Sequence, residues 1–146
     1  MKKLLFNSSR LFKGMAVSYA LILAFVIFLY NFQETQHIFF IFATVEHLDK
    51  AAHLLVMGFF SFVVNLALSG RNLRIARFQY LMGSMIVFAF ATLEESSQLL
   101  VRGRDFEFSD MFFNTAGILL FGEIARMTIK IIAYFKMSWN RPNEIS

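Results

Sequence analysis

Asp49 and His53 stand four residues apart, and Lys50 and His53 three, so a carboxylate, an ammonium and an imidazole share one face of any helix drawn through them. Glu94 and Gln98 are four apart, and Glu95 and Gln98 three. Asp110, Asn114 and Gly117 step by four and then three along another stripe, with Arg104 between the second and third groups. Such residues can move protons and hold anions: His53 or Glu95 as general base, Arg104 or Lys50 as a clamp on a phosphate or carboxylate. Singly, each has a plainer reading. His53 alone is a packed, bonded histidine, Asn114 a helix–helix hydrogen bond, and Asp110 an N-cap stabilising its helix by ~1 kcal/mol. As a set they exceed what a few short helices need to hold together.

Other chemistries are poorly served. Without Cys there is no thiol nucleophile, thiolate metal site or disulfide. There is no phosphate-cradling Gly-rich loop and no nucleophile–base motif. His37, His47 and His53 lie ten and six apart, with no H-x-x-x-H, so neither a metal nor a cofactor is expected. A divalent ion would need His47 and Asp49 to meet Glu95 in space.

The elements that position these groups follow from composition. Apolar residues make up 58% of 146, and charged residues 16%, against about 25% in soluble domains. That excludes a soluble enzyme, a disordered tail and a stapled secreted domain. Four apolar runs stand out: Met15 to Phe32, Ala51 to Ser69, Phe78 to about Val101, and Met111 to about Tyr134. A helix needs ~20 residues to cross the hydrocarbon core. The first run has basic residues before it but no small-residue cleavage site after it, so it reads as a retained helix.

Eleven of the 14 basic residues fall on one side of these runs with two carboxylates, net +9. Lys50, Arg102 and Arg104 fall on the other with eight carboxylates, net −5; the two sides sum to the chain's +4. The positive-inside rule then puts both termini in the cytoplasm. Tyr19, Tyr80, Tyr134 and Trp139 mark the inner interface, Tyr30 and Phe32 the outer. All the chemistry-bearing residues fall at the outer ends of three helices. Arg71, Arg74 and Arg77 form an inner loop meeting anionic headgroups.

The expected fold is all-α: a single transmembrane domain over 1–146, four helices in an antiparallel bundle. A short re-entrant or interfacial segment is expected over 33–47, where an eight-residue apolar run, 38–45, is too short to span. Glu95, Gln98, His53 and Asn114 are expected to face one another, Arg104 to pair with Glu95 or Asp110, and Gly117 to admit a close helix.

Asp49-Lys50-Ala51-Ala52-His53 resembles the D-K-x-x-H opening of VanZ-like membrane proteins, and Glu95-Ser96-Ser97-Gln98 matches that family's E-x-x-Q. Arg104, Asp110, Asn114 and Gly117 resemble its R…D…N-x-x-G run, and Glu94 stands where many members carry an acid. Gly122 lies five beyond Gly117, where four is usual. The resemblance covers about 47–122. It implies a small bacterial inner-membrane protein. The name-giving member is linked to resistance to the lipoglycopeptide teicoplanin, which makes glycopeptide resistance a phenotype to examine.

Three functions fit. One is a site that binds or acts on a cell-envelope amphiphile, such as a lipid-linked headgroup or a lipoglycopeptide. A second is a scaffold or subunit whose polar cluster holds helices or a membrane-protein partner. A third is a small oligomeric transporter, which needs several copies because four helices hardly enclose a pore. Membrane lipids are the expected surroundings, and nucleic acid is not an expected partner.

Overall fold

In the computed structural model, the structure describes residues 2–31, 46–100 and 106–139. Arg104 and most of the 33–47 segment lie outside these residues. Among the described residues are four helices: α1 (Lys2–Asn31), α2 (Glu46–Ala67), α3 (Met82–Gln98) and α4 (Phe108–Trp139). At ~1.5 Å per residue they measure roughly 45, 33, 26 and 48 Å. Two segments, Arg10–Leu29 and Leu48–Ala67, are long and apolar enough to cross a membrane.

The all-α expectation needs one correction. Between α2 and α3 the chain forms an antiparallel hairpin, β1 (Asn72–Ile75) and β2 (Phe78–Leu81). The run expected to enter a helix at Phe78 does so only at Met82. Helix α2 is stopped by two left-handed residues, Ser69 (φ 54°) and Gly70 (φ 65°), and the Gly70 N–H returns to the Asn65 carbonyl at 2.9 Å. Ala76, also left-handed (φ 52°), turns the chain so that Ile75 pairs with Phe78 and Leu73 with Tyr80. The hairpin in turn caps α3. Leu81, the residue before the helix, lends no side-chain cap, but the Met82 N–H donates to the Arg71 carbonyl at 2.8 Å.

Helix α2 is the hub. It packs against α1, α3 and most extensively α4, and α3 also meets α4. The α2–α4 seam is set by two stripes of i+4 spacing, His53–Met57–Ser61–Asn65 and Asp110–Asn114–Ile118–Gly122. Met57, Ser61, Asn65, Asn114, Ile118 and Gly122 are all buried. Gly117 lets the backbones meet: a Cβ there would run into the Leu54 carbonyl oxygen, and one on Gly58 would lie 3.1 Å from the Gly117 carbonyl oxygen.

Helix α1 attaches to α2 through a narrow strip. Leu23 is buried, the Tyr19 ring stacks on Phe60 with centroids 5.3 Å apart, and the Tyr19 hydroxyl donates to the Val56 carbonyl at 3.0 Å. Over residues 10–29, most of the other apolar side chains of α1 are exposed.

Burial departs from that of a water-soluble domain in two respects. Ser61, Asn65, Glu95 and Asn114 are completely buried, whereas Leu100, Phe108, Leu93 and Tyr134 are more than 70% exposed. A soluble monomer hides its large side chains and seldom exposes contiguous apolar area beyond a few hundred Å².

Candidate functional site

Helix α2 brings Asp49, Lys50 and His53 to one end of the bundle, and the first turns of α4 bring Asp110 and Asn114 against them. Asn114 presents its carbonyl oxygen to His53 Nδ1 at 3.2 Å. Nδ1 is then the protonated nitrogen and donates. The other nitrogen, Nε2, faces Asp110 Oδ2 at 3.5 Å and Asp49 Oδ1 at 3.8 Å. Asn114 thus fixes the orientation of the imidazole, as the partner of the second nitrogen does in catalytic and metal-binding histidines.

Asp110 lies in the first turn of α4, just ahead of the apolar run that begins at Met111. Ser109 Oγ donates to Asp110 Oδ1 at 3.4 Å. Donor atoms of Asp49, His53 and Asp110 lie within 4.8 Å of one another, so this trio could hold a divalent cation. His37 and the side chain of His47 lie outside what the structure describes.

The end of α3 completes the cluster. Glu95 is fully buried, and its Oε1 accepts the Glu107 backbone N–H at 2.9 Å. That bond ties the last turn of α3 to the start of α4. Glu95 is near enough to Glu94, Asp110 and His53 to interact with their charges. Gln98, also buried, donates to Glu94 Oε1 at 2.9 Å. Glu94 Oε2, Glu95 Oε2 and Asn114 Nδ2 are buried without a hydrogen-bond partner among the described residues. Buried polar atoms are nearly always bonded, so three unpaired ones at one end of a bundle are unusual. Arg104, expected to pair with Glu95 or Asp110, lies outside the described residues.

Residues 3–129 match the family model described as VanZ/LLP1. The chain belongs to the VanZ/LLP1 family. The match is wider than the 47–122 stretch that carries the motifs, taking in α1 and most of α4. No curated protein and no solved structure matches the chain.

This VanZ/LLP1 chain also holds a buried polar group that charge and motif reading overlooked. Halfway along the α2–α4 seam, Ser61 Oγ donates to the Ile118 carbonyl at 3.0 Å. Asn65 Nδ2 donates to Ser84 Oγ and to the Ser61 carbonyl, each at 2.9 Å. The three residues join α2, α3 and α4. Small residues make room for them: a Cβ on Gly122 would lie 2.5 Å from Ser84 Oγ, and one on Gly83 would meet Asn65 Oδ1. The available signal was the i+4 step from His53 through Ser61 to Asn65. Neither Ser61 nor Asn65 is ionisable, so they passed as part of an apolar run.

Proposed function

We propose that this VanZ/LLP1 protein spans the bacterial inner membrane four times in an antiparallel bundle, with both termini in the cytoplasm. Its outer polar cluster binds, or acts on, the headgroup of a cell-envelope amphiphile. The observation that carries this reading is the gathering of buried polar atoms, three of them unpaired among the described residues, around an oriented imidazole at one end of a bundle whose flanks are largely apolar. Holding ionisable groups there is costly: about 2.5–3.5 kcal/mol each at a helix centre, less near an interface. An amphiphile headgroup supplies the missing partners. His53 Nε2 and the Glu95 carboxylate are the groups placed to exchange protons with it, with Lys50 and Arg104 as the cations for a phosphate or carboxylate.

A second reading is a scaffold whose polar residues tie its helices together or seat a membrane-protein partner. The Ser61–Asn65–Ser84 group and the Gly58–Gly117 approach favour it, because they tie helices with no need of a ligand. Native mass spectrometry in nanodiscs doped with undecaprenyl phosphate, or with teicoplanin, separates the two. The wild type retains one of these amphiphiles. His53→Ala loses a hydrogen bond to a charged headgroup, about 1.5–3 kcal/mol, and retains it roughly 10- to 100-fold less well. Equal retention by both proteins would favour the scaffold.

Orientation has its own test, which the absence of Cys makes simple. Glu107 and Arg74 are both exposed, at opposite ends of the bundle. In intact cells, an impermeant thiol reagent labels Glu107→Cys and spares Arg74→Cys until the membrane is opened. The reverse pattern would overturn the orientation.

A further inference from the structure

At the end of the bundle away from the cluster, a cavity of about 340 Å³ opens between the hairpin and α4, lined by Gly70, Asn72, Gln79, Arg126, Ile129 and Lys130. The register of the hairpin explains its lining. Asn72 and Gln79 project from one face, the face that also carries Arg74 and Leu81. Leu73, Ile75, Phe78 and Tyr80 project from the other, where they pair across the strands and are 40–53% exposed. The hairpin is therefore amphipathic, its carboxamides turned to the cavity and its apolar side chains turned out.

Charge singles out the occupant. Arg126 and Lys130 are one turn apart on α4. Glu123 answers Arg126 at 3.2 Å, and Lys130 has no ion-pair partner among the described residues. Arg71, Arg74 and Arg77 add three exposed cations along the hairpin, and Arg77 lies over the Phe78 ring at 5.1 Å. No Asp or Glu occurs between Gly70 and Leu93. The site thus offers cations for a phosphate, carboxamides for hydroxyl groups, and an apolar face beside it for hydrocarbon. At about 340 Å³ it falls in the ordinary range for small-ligand pockets.

We infer that the cavity between the hairpin and α4 binds the phosphate-bearing headgroup of an anionic phospholipid, with the apolar face of the hairpin against its acyl chains. The site is separate from the outer cluster and does not depend on what that cluster binds. It rests on the orientation proposed above, which puts the hairpin at the cytoplasmic leaflet, where anionic lipid and juxtamembrane cations attract each other.

The test uses the full-length protein in nanodiscs of equal parts phosphatidylcholine and phosphatidylglycerol. After mild detergent extraction, the retained lipid is identified by mass spectrometry. The expected result is enrichment of phosphatidylglycerol over phosphatidylcholine by about ten-fold. Lys130→Gln lowers that enrichment several-fold, and Lys130→Gln with Arg126→Gln removes it, with helicity unchanged by circular dichroism. If the double variant loses helicity, Lys130→Gln alone decides. Equal retention of the two lipids, or undiminished enrichment in Lys130→Gln, overturns the inference. Displacement of the lipid by inorganic phosphate at matching concentration also overturns it, in favour of a soluble-anion site.

Discussion

Gly117→Ala is expected to lower the thermal midpoint of the protein in detergent by several degrees. The added methyl meets the Leu54 carbonyl oxygen, which is backbone and cannot rotate away. Helices α2 and α4 must then move apart along their whole seam, loosening the Ser61–Ile118 bond and the His53–Asn114 bond together. Overpacking of this kind costs about 1–3 kcal/mol, and more where backbone must shift. For a chain of this length that is a fall of roughly 3–8 °C. Gly14→Ala is the matched control. Its Cβ meets nothing within 4 Å, and alanine is the better helix former. Circular dichroism melts of both variants decide the matter: equal midpoints for Gly117→Ala and wild type would mean the helices are not held this closely.

Glu95 should separate structure from chemistry. Its side chain is sealed from solvent, and Oε1 is the acceptor for the Glu107 N–H. Glu95→Ala removes the acceptor and leaves a void, an expected loss of about 2–4 kcal/mol. Glu95→Gln keeps an acceptor of nearly the same volume and removes the charge, so its melt is expected within about 1 kcal/mol of wild type. Amphiphile retention should nevertheless fall in both. If Glu95→Gln retains the amphiphile as wild type does, the carboxylate is only a tether between α3 and α4, and the headgroup chemistry belongs elsewhere.

How much of this could be read from residues alone varied from place to place. The Asp110–Asn114–Gly117 stripe was legible because helical spacing is rigid: once the segment is a helix, steps of four and three leave little choice of face. That His53 would meet that stripe followed from counting basic residues, which set the chain direction of each helix and hence which ends lie together. The hairpin was not legible. Phe78, Tyr80, Leu81 and Met82 lead into the uncharged run of α3 with only Gln79 between them, and four-residue strands are too short for an alternation of period two to stand out beside it. What makes the turn is a positive φ at Ala76, a residue type that gives no warning. Ser61, Asn65 and Ser84 went unread for a different reason. An uncharged polar side chain in an apolar segment is indistinguishable from a tolerated substitution until a neighbouring helix supplies its partner. The Glu95–Glu107 bond uses a backbone N–H, which every residue but proline carries and which therefore leaves no mark in sequence.

The hub position of α2 also bears on the order in which the protein is made. His53 and Asn114 are 61 residues apart. At roughly 5–20 residues per second, a ribosome needs about 3–12 s to travel between them. Through that interval α2 exists without its principal neighbour: His53 and Ser61 lack their partners on α4, and Asn65 has only Ser84 of α3 to meet. Helix α1, made first, covers a different side of α2 and leaves this stripe open. The seam closes only when the last long helix emerges, so the polar face of α2 is at its most vulnerable to wrong partners and to quality-control proteases during synthesis, before the site exists at all.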